Sequence, residues 1–294
     1  MTMKKITRKF LSVILLVCLL FSFSVPAFAA ENLKLPKVMR YSDGTEIAYQ
    51  LNGTRLIIKP KDSMDGETVL PNGNEVLYPF LTTCSPEDQN ILLALNYGIS
   101  PIPVFALSRL VTSGKIKTIN YFFTTYRFST KNGKVTKITV DDGILTSPVT
   151  VDIKYKNGKF FSYFVDYGVD CESAKIQQDK FGLKFGETGD PYFTYTFNAT
   201  LDHGNLKKVV KEGATSYGPY NETVLFSFAG NQVTQSVSDV DDGYSKTHTI
   251  QRYFYNPDGT LNSVDFQINE DQYDIDTKQT VESKRTDTYY SYQY

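Results

Sequence analysis

Histidines, cysteines and bunched carboxylates are the side chains in this chain that could do chemistry, and none falls into a spacing that fixes a reaction. His203 lies in Asp202-His203-Gly204-Asn205, a turn sequence, and His248 alternates with Thr247 and Thr249 as on a strand. A catalytic histidine needs a nucleophile and an orienting acid at its ring nitrogens; neither neighbourhood supplies both. The nearest match to a nucleophile elbow is Ala214-Thr215-Ser216-Tyr217-Gly218. That motif works on a turn from strand to helix, whereas Pro219 and another strand pattern follow here.

Carboxylates bunch at Asp239, Asp241 and Asp242, and again at Glu270, Asp271, Asp274 and Asp276. A calcium loop of the EF-hand kind has glycine sixth and an acid twelfth. Counted from Asp239, glycine falls fifth and Ile250 twelfth, so these acids read as solvated turns. His-Glu-x-x-His, paired Cys-x-x-Cys, the P-loop and G-x-G-x-x-G are absent. The reading is of no metal, no cofactor and no catalytic residue. A secreted hydrolase stands as an alternative, because two carboxylates suffice for glycoside chemistry when roughly 5 to 9 Å apart.

The first thirty residues are informative. Lys4, Lys5, Arg8 and Lys9 precede an apolar run over residues 10–23, and Ala27-Phe28-Ala29 follows Pro26. The run is shorter than the roughly 20 residues that a membrane-spanning helix needs. It has the layout of a signal peptide over residues 1–29, cleaved after Ala29 or Ala30. Cys18 follows Val17, where a lipoprotein signal has a small residue, so no lipid anchor is expected. No later apolar run suits a transmembrane helix. The expected location is outside the cytoplasm, secreted or at the cell surface.

Removal of residues 1–29 of 294 leaves 265, enough for a proper core without disulfides. Two cysteines remain, Cys84 and Cys171. They form either one bridge in an oxidising compartment or two isolated buried thiols. The precursor holds 31 basic and 32 acidic residues, and four basic ones leave with the leader. A nucleic-acid binder needs basic clusters against the phosphates, and no basic run exceeds pairs such as Lys207-Lys208, so nucleic acid is not an expected partner.

What elements position these residues? Asn-Gly and Asp-Gly pairs recur, at Gly53, Gly133, Gly158, Gly243 and Gly259 among others. Such pairs between alternating runs are the strongest short-range hairpin signal. Val149, Val151, Ile153 and Tyr155 alternate with Thr150, Asp152 and Lys154, as half-buried antiparallel strands do. Shorter strands are expected around residues 38–41, 46–50, 55–59 and 75–78. Residues 175–187 read as a loop or a turn of helix.

One stretch breaks the β rhythm. Ser85-Pro86-Glu87-Asp88 combines an N-cap, a first-turn proline and early acids, predicting a helix to about Asn96. A second short helix is expected over 104–112. The pair is too apolar to lie free in water and must pack on a sheet.

The expected fold is mainly β, with an inserted helical pair: an antiparallel β-meander or open curved sheet with two short helices packed on one face. Its segments are an N-terminal β stretch over 30–83, the helical pair over 84–114 and a meander over 115–294; alternatively, 30–294 is a single domain. A sheet curved around apolar helices resembles the unclosed-barrel carriers of lipids and other hydrophobic ligands, and that resemblance implies a ligand face at Leu92, Leu95, Phe105 and Leu110.

The chain has 21 Tyr, 20 Phe and no Trp. Tyrosine suits both core pairing and recognition surfaces. The alternating tail Tyr290, Tyr292 and Tyr294 resembles the last strand of outer-membrane barrels, but lysines on the other strands and the helical pair do not suit a lipid-facing wall. The function expected is non-catalytic binding or structure, with a cell-surface polymer, a protein or a hydrophobic ligand as partner.

Overall fold

Val149, Val151 and Ile153 are buried while Thr150, Asp152 and Lys154 are exposed, because successive side chains of an extended strand leave opposite faces. That alternation builds most of the molecule. The computed structural model describes residues 34–61, 75–95, 101–143, 148–166, 171–178, 182–190, 193–215, 218–274, 277 and 279–294; within it, Lys34–Tyr294 forms one compact unit.

The strands, in chain order, are β1 Val38–Tyr41, β2 Glu46–Asn52, β3 Arg55–Pro60, β4 Thr118–Tyr121, β5 Thr124–Lys131 and β6 Lys134–Asp141. Then come β7 Val149–Lys156, β8 Lys159–Asp166, β9 Cys171–Gln178, β10 Gly182–Asp190, β11 Phe193–Asp202 and β12 Asn205–Thr215. The longest follow: β13 Gly218–Ala229, β14 Gln232–Asp241, β15 Ser245–Tyr255, β16 Leu261–Tyr273 and β17 Thr280–Gln293. All belong to one sheet of 17 strands.

Each strand from β4 to β17 pairs antiparallel with the next, as the predicted meander requires. The hairpins close as the turn pairs predict. Asn132-Gly133 and Asn157-Gly158 both take positive φ, at 52° and 69° and at 52° and 80°, the geometry of a two-residue turn whose twist matches the strands. β1 pairs with β2 on one side and with β17 on the other, Val38 facing Gln293 and Tyr41 facing Tyr290. The meander thus curves until its first and last strands meet.

The exception to antiparallel order is β3 with β4, which pair parallel from Arg55 beside Thr118 to Ile58 beside Tyr121. Parallel neighbours need a long crossover, and the helical segment supplies it. A 3-10 turn, Glu75–Leu77, leads into α1 Tyr78–Leu81, α2 Pro86–Ala94, α3 Pro101–Leu107 and α4 Arg109–Thr112. The Ser85 hydroxyl accepts from the Asp88 amide at 3.1 Å, the predicted cap of α2.

These helices sit within the curve of the sheet. Phe80, Phe105 and Val76 are wholly buried, and their surroundings come from strands spread around the sheet. Tyr49 on β2 donates its hydroxyl to Val76 O at 2.9 Å, and Tyr292 on β17 donates to Glu75 O at 2.9 Å. Phe105 meets Tyr126 of β5 with ring centroids 5.3 Å apart, and Tyr78 stacks on Phe266 of β16 at 6.2 Å. Asn90 of α2 donates to Gly204 O at 2.7 Å and accepts from the Leu206 amide at 2.8 Å, fixing the helix to the hairpin of β11 and β12. Burial of each such large apolar side chain contributes about 1.5–3 kcal/mol.

The mainly β fold with helices packed on one face of the sheet is therefore what the chain adopts, with three local corrections. Residues 75–78 are helical, because Val76, Leu77, Tyr78 and Phe80 are buried on every side and an element buried all round loses the one-sided pattern. Among the described residues four short α-helices stand where two were expected: α1 precedes α2, and Ser108 is extended, ψ 128°, splitting α3 from α4. Its hydroxyl instead lies 2.8 Å from that of Thr83. Residues 175–178 and 182–187, read as a loop or a turn of helix, belong to β9 and β10, paired from Leu183 beside Gln178 to Thr188 beside Ser173. No helix among the described residues is long and apolar enough to cross a membrane.

Candidate functional site

Beyond the end of α2 the inner face of the sheet changes character. Along β12 the inward row runs Leu206, Val209 and then Lys211; along β13 it runs Val224, Glu222 and Tyr220. Lys211 and Glu222 are directly opposed in the ladder, and both are buried. β14 adds Ser236 and Ser238, β15 adds Gln251 and Tyr253, and Leu93 and Ala94 of α2, with Leu95 at its C-terminal cap, border the space from the helical side. Together they line a cavity of about 200 Å³.

Its polar groups are tied together. Tyr220 donates its hydroxyl to Glu222 Oε2 at 2.9 Å and Ser238 donates to Glu222 Oε1 at 3.1 Å. Gln251 Oε1 accepts from Tyr253 at 2.5 Å and from Ser236 at 3.1 Å. Lys211 Nζ lies 5.3 Å from the centre of the Tyr220 ring, within cation–π range. Burial pushes the Tyr253 phenol up to about 12, so it stays a donor at neutral pH. The arrangement offers one cation, one carboxylate and several hydroxyl and amide groups in a space shielded by apolar neighbours, where polar contacts count for more than in water.

A second polar group lies deeper. Glu75 is 4 % exposed, its Oε2 has no hydrogen-bond partner among the described residues, and burial raises its carboxyl above the ordinary 4.5 while the Tyr290 hydroxyl bond lowers it. The Tyr41, Tyr121 and Tyr290 phenols are held well above their ordinary range, first by burial and then by the Glu75 charge.

The residues singled out from sequence are scattered. Leu95 lines the cavity. Leu92, Phe105 and Leu110 are buried in the core, where Phe105 is packed edge-on by Phe80, Tyr121, Tyr126 and Phe128. Cys84 is a buried free thiol whose Sγ lies 3.4 Å from Phe80 O; Cys171 opens β9, and its side chain lies outside the described ones, as do Ala29 and Ala30 with the whole leader. His203 is exposed and His248 half-buried on β15, each with Nδ1 2.7 Å from one aspartate, Asp202 and Asp239 respectively. Ser216 lies outside the described residues, and its flanks Thr215 and Gly218 pair as the end of the β12–β13 hairpin. Of the bunched acids, Asp241 and Asp242 hold the turn before β15: Asp241 accepts from the Gly243 amide at 3.1 Å and Asp242 from the Ser245 amide at 2.6 Å. Asp276 lies outside the described residues.

The polar residues of the cavity were missed because Lys211 and Glu222 are the kind of charged residue that ordinary strands carry on a wet face. Their signal was present: Tyr220, Glu222, Val224 and Phe226 share one period-2 face, and a carboxylate on an apolar face needs a reason. No protein-family model matches the chain, and no curated protein matches it either.

Proposed function

We propose that this is an exported, non-catalytic binding protein that holds a small carboxylate-bearing polar molecule in the cavity beyond α2. One observation carries the reading: inside a sheet filled mainly by apolar side chains, a cavity of about 200 Å³ has Lys211, Glu222, Tyr220, Ser236, Ser238 and Gln251 in its lining. Lys211 would meet the guest's carboxylate and the hydroxyl and amide groups its remaining polar edge. Ligand sites are concave, with a few placed polar groups on an apolar wall, and this cavity has that composition at a size below the ~300–1,000 Å³ of drug-sized sites. The polar lining favours such a guest over a lipid. The leader at residues 1–29 supports export.

Thermal denaturation of the chain expressed without residues 1–29, with free amino acids and sugar acids added singly at millimolar concentration, tests the binding. A bound compound raises Tm by mass action, and Lys211→Met should abolish the rise. Absence of any rise, or a rise that survives Lys211→Met, overturns the reading. Export is checked separately, by fractionating cells that express the full chain; mature protein confined to the cytosol overturns it.

A further inference from the structure

A second surface, on the outside of the sheet, brings together lysines that are far apart in sequence. In β6 and β7, Lys137 faces Asp152; one step toward the hairpins, Lys154 faces Ser162 of β8, which faces Lys175 of β9. At the hairpin ends Lys131 pairs with Lys134 and Lys156 with Lys159. The two turns touch, Lys134 Nζ donating to Gly158 O. Lysines separated by up to 44 positions thus form one face on β5 to β9. Among the described side chains the acids set against them are Asp152, Asp141, which pairs with Arg127 of β5 at 3.6 Å, and Glu87 of α2, which pairs with Lys159 at 2.5 Å. Lys131, Lys137, Lys154, Lys156 and Lys175 are exposed and make no ion pair among the described residues.

Within this face lies a cleft of about 540 Å³ lined by Lys156, Lys159, Phe161, Lys175, Ile176 and Gln177. Lys156 Nζ and Lys175 Nζ stand 5.7 and 5.8 Å from the centre of the Phe161 ring. One aromatic side chain therefore holds two ammonium groups at the cleft, although like charges repel. An anion lying between them would relieve that repulsion.

Strands β14 to β17 carry more acids than bases, although Asp239, Asp241 and Asp287 are each paired, with His248 at 2.7 Å, Lys246 at 3.6 Å and Arg285 at 3.1 Å.

We propose that the outer face of β5 to β9 binds a linear anionic polymer of the cell exterior, one carrying carboxylate or phosphate groups along its length, with the Phe161 cleft taking one anionic unit. The exterior source rests on the export reading above; the binding itself does not. A polymer suits the surface better than a small ion, because the lysines extend across five strands.

The test is a titration of the chain lacking residues 1–29 with polygalacturonate and with long-chain polyphosphate, against neutral dextran and duplex DNA, at 50 and 200 mM salt. Binding to at least one of the first two, weakened by salt and absent for dextran, is expected, and the two arms separate a carboxylate from a phosphate polymer. The triple variant K154Q/K156Q/K175Q should weaken binding on the order of tenfold and flatten the log–log salt dependence by roughly 2, with an unchanged circular dichroism spectrum and melting temperature. The exchange K246Q, on the acidic side, should leave binding as it was. No binding at 50 mM salt, equal binding of dextran, an undiminished triple variant, or tighter binding of DNA than of either polymer each overturns the proposal.

Discussion

Lys211 and Glu222 face each other across β12 and β13 as direct ladder partners, both turned inward and both buried. Charged side chains are almost never buried without partners, and those of Glu222 include Tyr220 and Ser238. Glu222→Ala would leave both hydroxyls without that acceptor and should cost about 1–3 kcal/mol. Glu222→Gln keeps one acceptor oxygen and should cost less. A cycle with Lys211→Met, read by urea denaturation, should show the two sites coupled by roughly 0.5–3 kcal/mol. Strict additivity would mean that the two charges do not share one environment.

The strands of this protein were legible because their physics is local. Alternation at residues 149–155 and the glycine turns gave hairpins between neighbours in sequence, and those hairpins are what formed. The predicted cap at Ser85 also formed. Less local facts were not legible. The meeting of β1 with β17 joins Val38 to Gln293 through no local signal. The basic face depends on register across five strands, so Lys131 and Lys175 look unrelated in the chain. Lys211 and Glu222 were visible as inward-phased residues only to a reader who knew that the opposite face was wet.

Glu75 should make stability fall as pH rises. In the unfolded chain its carboxyl ionises near the ordinary 4.5, whereas in the fold burial opposes ionisation and raises its pKa. The protonated form therefore contributes stability that is present below 4.5 and is lost as pH rises through the folded value, by about 1.4 kcal/mol for each unit of difference. Glu75→Gln stays neutral throughout. Between pH 4 and 8 the melting temperature of the variant should gain steadily on that of the wild type. A difference between the two that does not change with pH would show that Glu75 ionises as freely in the fold as outside it.

The Cys84 thiol should be inert in the native state. It is buried, and that burial pushes its pKa far up, leaving almost no thiolate; thiolate is the reactive form. In a Cys171→Ser chain lacking residues 1–29, Cys84 is the remaining cysteine. Its reaction with a thiol reagent should be slow in buffer and rapid in denaturant, at a native rate set by unfolding. Fast labelling without denaturant would place this thiol at an accessible surface.

Phe105 is the side chain on which the helical segment and the sheet converge. It is wholly buried, and its ring meets Phe80 at 5.3 Å, Tyr126 at 5.3 Å, Phe128 at 6.1 Å and Tyr121 at 6.3 Å, each near edge-on. Such pairs add about 0.5–1.5 kcal/mol beyond burial, and neighbours drawn from a helix and two strands cannot all move in to fill the space. Phe105→Ala should therefore lose about 3–5 kcal/mol. Phe123 is 78 % exposed at the turn between β4 and β5, so Phe123→Ala should change stability by no more than about 0.5 kcal/mol. Guanidinium denaturation of both variants measures the contrast. Equal losses at the two positions would mean that Phe105 is not at the centre of the core, and that the helices do not fill the curve of the sheet as described.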